Sequence, residues 1–369
     1  MRVTRIVHPV GQGAFYTEKI ELESQSYNVV YDCGSGNGKN ASVVLNREIA
    51  SSYSSDDVID ILFISHFDND HINGIKELEK RTARIRNIVV PLIEPADYWF
   101  YSIKIPGFQS LYDSLNIIAE NVYRVRPYVE DGRGFQLGGS QQIDISENNG
   151  GIIDVNSATM FRLQAGIDWC YIPFNYDQKV RIGILREELS SLGLHESVFE
   201  EWEEIEKNID KIKAAYKNVV ADGANKTSLI LYSGGINGKY HCHDFQSYYC
   251  YSRFRNFLHY DNSKEGCLYF GDNDLNQANI LDDLKCKLYI VKDRIRTFQL
   301  PHHGAKRNFN AGIFGFNSHR KVFFVSFKCN NMYAHPSTSV VTDVLNNDCF
   351  LFEVTEKRDS TYIQFIERE

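Results

Sequence analysis

An apolar run that leads into a cluster of metal-type ligands constrains this chain more than any other feature. The run, Val58–Ile64, is typical of a buried strand, and Ile72–Lys80 predicts a helix after it. The segment between them reads Ser65-His66-Phe67-Asp68-Asn69-Asp70-His71-Ile72-Asn73-Gly74. Four ligand-type side chains within six positions of a strand-to-helix turn predict a metal site.

The spacing of these four side chains favours two ions. His66 and Asp68 are two positions apart, so an extended turn points both the same way. Asp70 and His71 are adjacent and suit a second ion, which is the arrangement of two-metal hydrolysis. The simpler alternative is a polar loop in which Asp70 caps the helix. One carboxylate is enough for that role, so we favour the metal site.

This segment resembles the His-x-His-x-Asp-His signature of the metallo-β-lactamase fold, with Asp68 in place of the second histidine. That variant, followed by Asn73-Gly74, is similar to the soluble hydrolase domain of ComEC, a DNA-uptake channel. The resemblance implies the α/β class, as an αββα sandwich of two mixed β-sheets flanked by helices. It covers both ends of the chain, about two thirds of its length, with motifs in the same order.

Two motifs near the beginning of the chain extend the resemblance. Val10-Gly11-Gln12-Gly13 lies between two predicted strands and looks like the opening segment of the ComEC domain. The family often has aspartates where this chain has Pro9 and Ala14, so any role of those acids is missing here. A third strand ends at Asp32, before a glycine turn. By itself this pattern fits an Asx-turn. The resemblance implies that Asp32 supports the ligands without binding an ion.

The later motifs follow in the family's order. Asn225-Lys226-Thr227-Ser228 opens a segment like the Asn-Asn-x-Ser of ComEC domains, in which Asn225 and Ser228 support the site. Ordinary members carry a histidine ligand in this part, but none lies between Asn225 and Ser233, so one ion would lack a ligand. Buried strands then end in Gly271-Asp272 and in Pro301-His302-His303-Gly304, and His335-Pro336 resembles the closing motif.

These motifs together imply a dinuclear centre of zinc or manganese. The candidate ligands are His66, Asp68, Asp70, His71, Asp272, His302, His303 and His335. We assign His66, Asp68 and one of the paired histidines, preferably His302, to the first ion. Asp70, His71 and His335 are assigned to the second ion, and Asp272 bridges both. Asp70 and Asp272 are also the catalytic candidates. Carboxylates are hard donors, which makes manganese plausible beside zinc.

Residues 91–224 do not follow the family pattern. We predict one domain over residues 1–369, with 91–224 as an insertion or cap inside it. Residues 131–153 are rich in turn formers and predict turns or short hairpins. Apolar residues from Phe199 to Tyr216 recur at steps of three and four and predict an amphipathic helix. A helix packed on the core is favoured over a substrate cap or a surface for a protein partner.

A second group of metal-type residues is His241-Cys242-His243-Asp244, with Cys250 nearby. Its spacing matches no common zinc finger, so we favour a solvent-facing insertion between two core strands. Eight scattered cysteines without a Cys-x-x-Cys pair favour the reducing cytoplasm. No apolar stretch approaches the ~18 residues of a membrane span, and the first residues contain no signal-peptide pattern, so we expect no membrane partner.

The net charge of −8 argues against a generally basic nucleic-acid surface, although a local basic strip remains compatible with it. Lys306 and Arg307 follow the histidine pair and are candidate phosphate ligands, with ordinary solvated charge as an equal alternative. The favoured function is a phosphodiesterase, most plausibly a nuclease acting on DNA. The alternatives are another hydrolase of this fold, phosphorylcholine-esterase-like or specific for a small cyclic nucleotide, and an effector module active only with a protein partner bound through 91–224.

Overall fold

The structure is a computed structural model that describes residues 1–36, 38–93, 98, 101–102, 105, 107–128, 141–146, 150–176, 179–199, 202–220, 228–246, 264–277 and 279–369. Asn225, Cys250 and most of the turn-rich segment 131–153 lie outside these ranges.

Seventeen strands of the described chain form two sheets. The first sheet has the order β12-β17-β1-β2-β3-β4-β5-β6-β8. Its strands are β1 (Arg2–Val7), β2 (Phe15–Glu21), β3 (Ser26–Cys33), β4 (Val58–Phe63), β5 (Arg84–Pro91), β6 (Ala119–Val125), β8 (Gly151–Val155), β12 (Tyr240–Gln246) and β17 (Tyr362–Arg368). The second sheet has the order β16-β15-β14-β13-β11-β10-β9-β7. Its strands are β7 (Gln142–Asp144), β9 (Met160–Arg162), β10 (Cys170–Phe174), β11 (Ile230–Gly234), β13 (Gly266–Tyr269), β14 (Ile295–Gln299), β15 (Val322–Ser326) and β16 (Phe350–Val354).

Helices cover the outer faces of both sheets. The α-helices are α1 (Ala41–Ser52), α2 (Asn69–Ile72), α3 (Ile75–Arg81), α4 (Phe108–Ile118), α5 (Lys179–Ser191), α6 (Trp202–Val220), α7 (Ile280–Lys287) and α8 (Thr338–Asn346). Short 3-10 helices span Gly38–Asn40, Glu196–Phe199, Lys292–Arg294, Pro301–Gly304, Ala311–Gly315 and Arg358–Ser360.

The residues of β4 show why this sequence forms a layered sandwich. Ile61 and Phe63 belong to the apolar core between the two sheets, whereas Leu62 and Ile64 pack in the core under α1 and α3. Successive side chains of a strand alternate between faces, so a strand buried on both faces needs a continuous apolar run. A third core packs α7 and α8 on the second sheet. This arrangement of two mixed sheets between helices confirms the predicted αββα sandwich.

The helix predicted for Ile72–Lys80 is interrupted. α2 ends at Ile72 and α3 begins at Ile75, because Gly74 is held against the end of β3 by a hydrogen bond from its N–H to the Cys33 carbonyl (2.8 Å). A Cβ at Gly74 would lie 2.7 Å from the Cys33 Sγ, so only glycine fits this contact. The N-cap residue of α2 is Asp68, not Asp70, and its side chain makes no capping hydrogen bond.

The segment 91–224 contributes to the sandwich itself. It supplies β6 and β8 to the first sheet and β7, β9 and β10 to the second. Helices α5 and α6 pack against each other, and Leu189 and Ile205 from this pair join the core that also contains residues of α1 and β4. These contacts agree with the favoured packing of the helical part on the core. A role of this segment as a cap or partner surface stays a prediction.

The His241–Asp244 segment is a strand of the first sheet rather than an insertion outside it. β12 pairs with β17, and its residues alternate between exposed and buried positions. His241 is exposed and lies 3.1 Å from a carboxylate oxygen of Glu369, whereas buried Asp244 is paired with Arg296 at 2.7 Å. His241 and Cys242 therefore face opposite sides of the sheet and cannot share an ion.

The seven cysteines in the described ranges are free thiols. Cys267 and Cys349 are buried, as their apolar surroundings in the sequence predict, and Cys329 is half-buried. Of the described helices, none combines the length and apolar character that a membrane crossing requires.

Candidate metal centre

The predicted ligands gather at one edge of the sandwich, where parallel strands of both sheets end. Asp32 lies near the end of β3, His66 follows β4, Asp272 follows β13, and the histidine pair follows β14. The two sheets are joined at this edge because the Tyr31 hydroxyl donates to the Leu229 carbonyl, and the Leu229 N–H donates to the Ser65 carbonyl, both at 2.8 Å. Residues far apart in sequence therefore face one small volume.

Asp272 occupies the middle of this volume. Its Oδ1 lies 3.5 Å from Nε2 of His71. Its Oδ2 lies 3.8 Å from Nε2 of His66 and 3.8 Å from Nε2 of His302. The two oxygens of one carboxylate thus face different histidines, as a carboxylate between two ions would.

A second group lies beside the first. Nε2 of His303 lies 3.5 Å from Oδ2 of Asp70, and ligand atoms of Asp70, His71 and His303 all lie within 4.8 Å of one another. Ligand atoms of His66, His71 and Asp272 also lie within 4.8 Å of one another. Ligand atoms about 2.1 Å from one tetrahedral ion lie roughly 3.4 Å apart, so both groups have the spacing that ion binding needs.

The grouping differs from the predicted one at the histidines. The structure places His303 beside Asp70 and His71, where His335 was predicted. The His335 ring instead lies 6.0 Å from the His302 ring. Asp68 is half-buried and belongs to neither of the two groups found among the described residues. The roles of Asp68 and His335 as ligands, and of His302 on the His66 side, stay predictions.

Three histidines are oriented by hydrogen bonds at Nδ1. His71 Nδ1 lies 2.8 Å from Oδ2 of Asp32, and His303 Nδ1 lies 2.8 Å from the Ser326 carbonyl oxygen. Both contacts are to acceptors, so Nδ1 carries the hydrogen and Nε2 of the neutral ring keeps a lone pair. Metal-binding histidines usually donate the N–H of their other ring nitrogen to such an acceptor, which fixes the orientation of the ring.

Two serine hydroxyl groups hold His66 in the same tautomer, with the hydrogen on Nδ1. The Ser65 hydroxyl donates its one hydrogen to Asp32 at 2.6 Å, so its oxygen accepts from His66 Nδ1 at 2.9 Å. The Ser228 oxygen lies 3.1 Å from the same nitrogen and also accepts from the Asp272 N–H (3.0 Å). Asp32 and Ser228 thus contact candidate ligands, and their supporting roles stay a prediction.

The free sides of these rings support the fit of divalent ions. Nε2 of His66, of His71 and of His303 is buried and makes no hydrogen bond to any described residue. A buried nitrogen lone pair without a partner is costly, which a bound cation would relieve. Imidazole nitrogen and carboxylate oxygen are donors that suit zinc and, through the oxygens, manganese. The residues present therefore could hold divalent ions.

The charges of the site are strongly coupled. Burial, followed by the neighbouring His71, lowers the pKa of His66 to about 3. Burial also opposes the charged form of His71, but Asp272 and Asp32 outweigh it and raise that pKa well above its usual value. Burial raises the pKa of Asp272, yet His302 and His71 together bring it well below the normal range. A cation beside Asp272 would replace the proton that the raised pKa of His71 favours on its Nε2.

Backbone strain concentrates around the ligands. Asp32, His302 and His303 have positive φ angles of 57°, 47° and 56°, a region that residues with a side chain rarely adopt. Such residues cost about 1–3 kcal/mol each and persist where surrounding contacts enforce them. The consecutive left-handed residues turn the two histidines in different directions, His302 toward Asp272 and His303 toward Asp70.

The Val10-Gly11-Gln12-Gly13 motif packs against the metal loop. A Cβ at Gly13 would lie 2.4 Å from the Asp70 carbonyl oxygen, and one at Gly34 would lie 2.2 Å from the same atom. The Ala14 N–H donates to this oxygen at 3.2 Å. The glycines of the first two motifs therefore allow the backbone of Asp70 to approach both loops closely.

Replacing Gly34 by alanine should displace the loop that carries Asp70 and His71. Because the clash is with backbone atoms, we expect the free energy of unfolding to fall by about 1–3 kcal/mol and metal content to fall with it. Gly315→Ala is the matched control, since that position has open space and no positive φ. Chemical denaturation and elemental analysis test this. Equal stability and metal content in the two variants would contradict the need for a glycine beside the Asp70 carbonyl.

Several supporting residues were missed in the sequence. Ser65 directly precedes His66, and this position beside a ligand was the available signal. The Ser326 carbonyl gives no signal in a sequence, because any residue has one. The Asn308 side chain donates to the Asp272 carbonyl (3.1 Å), and the Gln299 side chain accepts from the Gly271 N–H (2.9 Å). Both hold the loop that carries Asp272.

The remaining predicted residues are at the entrance or outside the described ranges. Lys306 and Arg307 are exposed next to the histidine pair. The side chains of Asp70 and His302 are 24% and 16% exposed, against 0% for His71, so the centre opens to solvent on their side. Asn225 is not among the described residues.

A match to a family model agrees with this architecture. Residues 20–143 match the family model described as Metallo-beta-lactamase superfamily, a span that includes Asp32 and the ligands up to His71. A search of curated proteins found no match. Among solved structures, the metallo-beta-lactamase fold protein YhfI from Bacillus subtilis is 8% identical, with a TM-score of 0.40 over 100% of this chain and 99% of that chain. The chain thus has the two mixed sheets between helices of a metallo-β-lactamase fold, and its residues 20–143 are similar to the Metallo-beta-lactamase superfamily model.

Proposed function

We propose that the protein is a metal-dependent phosphodiester hydrolase, a nuclease that acts on DNA. The observation that carries the proposal is the position of Asp272, whose two oxygens face His66 and His302 on one side and His71 on the other. Members of this superfamily are mostly hydrolases, which supports hydrolysis as the reaction class. The resemblance of the ordered motifs to the ComEC hydrolase domain supports DNA as the substrate.

The residues have distinct tasks in this proposal. His66 and His302 would hold one ion, with Asp68 as a further candidate. Asp70, His71 and His303 would hold the second, and Asp272 would contact both. Divalent ions bound there would supply an activated water and polarise the phosphate. Asp32 keeps a hydrogen on Nδ1 of His71, so that the lone pair of Nε2 remains available to the ion.

The entrance of the centre suits an anionic substrate. Burial lowers the pKa of His302 although the charge of Asp272 opposes it, and burial together with His303 and His302 lowers the pKa of His335 to about 4. Arg307 is exposed and follows His303 by four residues, so it is a candidate to bind a phosphate at this entrance. A guanidinium can bind phosphate oxygens in a bidentate manner, and Lys306 adds a point charge. Because the net charge of the chain is −8, we expect this attraction for phosphate only at the entrance and not over a wider basic surface.

The activity test uses purified protein with manganese and then zinc. The substrates are single- and double-stranded DNA, RNA, cyclic nucleotides and a chromogenic phosphodiester. We expect hydrolysis of DNA that is abolished by a chelator and restored by the metal. Cleavage should weaken with salt, because phosphate contacts release counterions, and the dependence should be modest, because few phosphates are contacted. Absence of turnover on every phosphodiester, with both ions bound, would exclude the nuclease and leave a different substrate class or a required protein partner.

Substitution of the paired histidines distinguishes their roles. His303→Ala should reduce the metal content more than His302→Ala, because His303 is buried against Asp70 and His71 whereas His302 faces Asp272 from the open side. Elemental analysis of both variants, purified without chelator, measures the difference. Full metal loading in both variants would contradict the assignment of either histidine as a ligand.

A further inference from the structure

Two large apolar side chains project from the loop beside the metal centre. Met332 is 95% exposed and Tyr333 is 68% exposed. Single exposed apolar residues are common on protein surfaces, but these two are adjacent in the chain and border a candidate catalytic site. Exposure of an aromatic ring at such a place suits contact with a ligand.

The Tyr333 ring is connected to the centre through a short series of rings. It stacks on His335 with a centroid distance of 5.9 Å and an interplanar angle of 16°. His335 lies 6.0 Å from His302, so the Tyr333 ring is no more than about 12 Å from a ring that faces Asp272. At this distance the two rings are offset, and most of the Tyr333 side chain is open to solvent.

The loop holds this ring in a defined place. The Asn331 side-chain oxygen accepts from the Tyr333 N–H at 3.1 Å and from the His335 N–H at 2.9 Å. Its amide nitrogen donates to the Lys328 carbonyl at 2.9 Å and to the His335 carbonyl at 2.6 Å. An aromatic ring that is already held in place loses less conformational entropy when a ligand stacks on it.

The chemistry of the entrance indicates what would stack there. The exposed Tyr333 ring lies beside His335, and exposed Arg307 follows the histidine pair in the chain, so the entrance offers an aromatic ring and a cation to a ligand. Nucleotides combine a flat base with a phosphate, and bases stack on aromatic side chains when they are not stacked within a duplex. Building on the proposed function, we propose that Tyr333 binds a nucleobase next to the scissile phosphate of single-stranded nucleic acid.

The test compares binding of two oligonucleotides to the full chain loaded with manganese. Both carry cleavage-resistant phosphorothioate linkages and equal charge, but one has bases and the other is abasic. Stacking contributes about 1–3 kcal/mol per base, so the wild type should bind the base-containing strand about tenfold more tightly. Tyr333→Ala should remove this preference, and Tyr333→Phe, which keeps the ring, should retain it. Fluorescence anisotropy at fixed salt gives the dissociation constants.

Two results would overturn the inference: equal binding of both strands by the wild type, or a preference that survives in Tyr333→Ala. A thermal melt of each variant shows whether the protein is folded when binding is measured. Failure of the proposed function is seen separately, as absence of hydrolysis of the unmodified strand. A base preference that depends on Tyr333 in such a protein would still support the stacking site.

Discussion

Asp272→Asn should lower the rate of hydrolysis at least a hundredfold, a difference of about 3 kcal/mol in activation free energy. The amide has nearly the shape of the carboxylate but lacks its charge, and it cannot present two anionic oxygens to His71 on one side and to His66 and His302 on the other. Metal content should fall together with activity. Steady-state kinetics and elemental analysis of the same preparation measure both quantities.

Asp274→Asn is the matched control for this variant. Asp274 lies two residues further along the same loop, and its Oδ1 accepts hydrogen bonds from Asn276, which an amide oxygen can also accept. Its metal content and rate should remain near those of the wild type. Wild-type activity in Asp272→Asn would show that the reaction does not depend on this carboxylate.

The residues of the candidate metal centre could be located in the sequence because their signals are local. Apolar runs mark the buried strands, and the ligand-type residues follow them within a few positions, as His66 follows β4 and Asp272 follows β13. The carboxyl ends of neighbouring parallel strands meet at one edge, so strand ends that carry such residues are brought together by the topology.

The assignment of individual histidines depends on backbone geometry that no local pattern reveals. His302 and His303 both adopt positive φ, which turns His303 toward Asp70 and leaves His302 facing Asp272. The strands contributed by 91–224 were also missed. β7 and β9 have three residues each, which is too few to recognise an alternation of apolar and polar side chains. They are defined instead by their pairing with other strands of the second sheet.

A buried ion pair between the two sheets gave no sequence signal at all. Arg5 and Glu18 occupy neighbouring strands near the start of the chain, where charged residues usually alternate with apolar ones on a solvated face. Both are buried, and Arg5 Nε lies 2.6 Å from Oε1 of Glu18. The carboxylate also accepts hydrogen bonds from three hydroxyl groups of the second sheet, those of Tyr171, Ser233 and Tyr269.

Glu18→Ala should destabilise the fold by about 3–5 kcal/mol, because it leaves the Arg5 charge buried without its partner and frees the hydroxyl groups. The pH dependence follows from the same contacts. Burial would raise the pKa of Glu18, but Arg5 and the hydrogen bonds outweigh it and lower that pKa. The stabilisation is therefore complete above the unfolded-state pKa and is lost as the pH falls through the folded-state value.

The control for this variant is an exposed ion pair whose cation also lies on β1. Arg2 forms an ion pair with Glu367 at 2.9 Å, but both side chains are more than half exposed. Glu367→Ala should cost no more than about 1 kcal/mol, since solvent screens an exposed pair. Urea denaturation at pH 7 and at lower pH should show a large, pH-dependent difference between wild type and Glu18→Ala, which shrinks as acid protonates Glu18 in the wild type. Equal losses in the two variants would mean that water reaches the Arg5 pair and that the sheets are not held together by it.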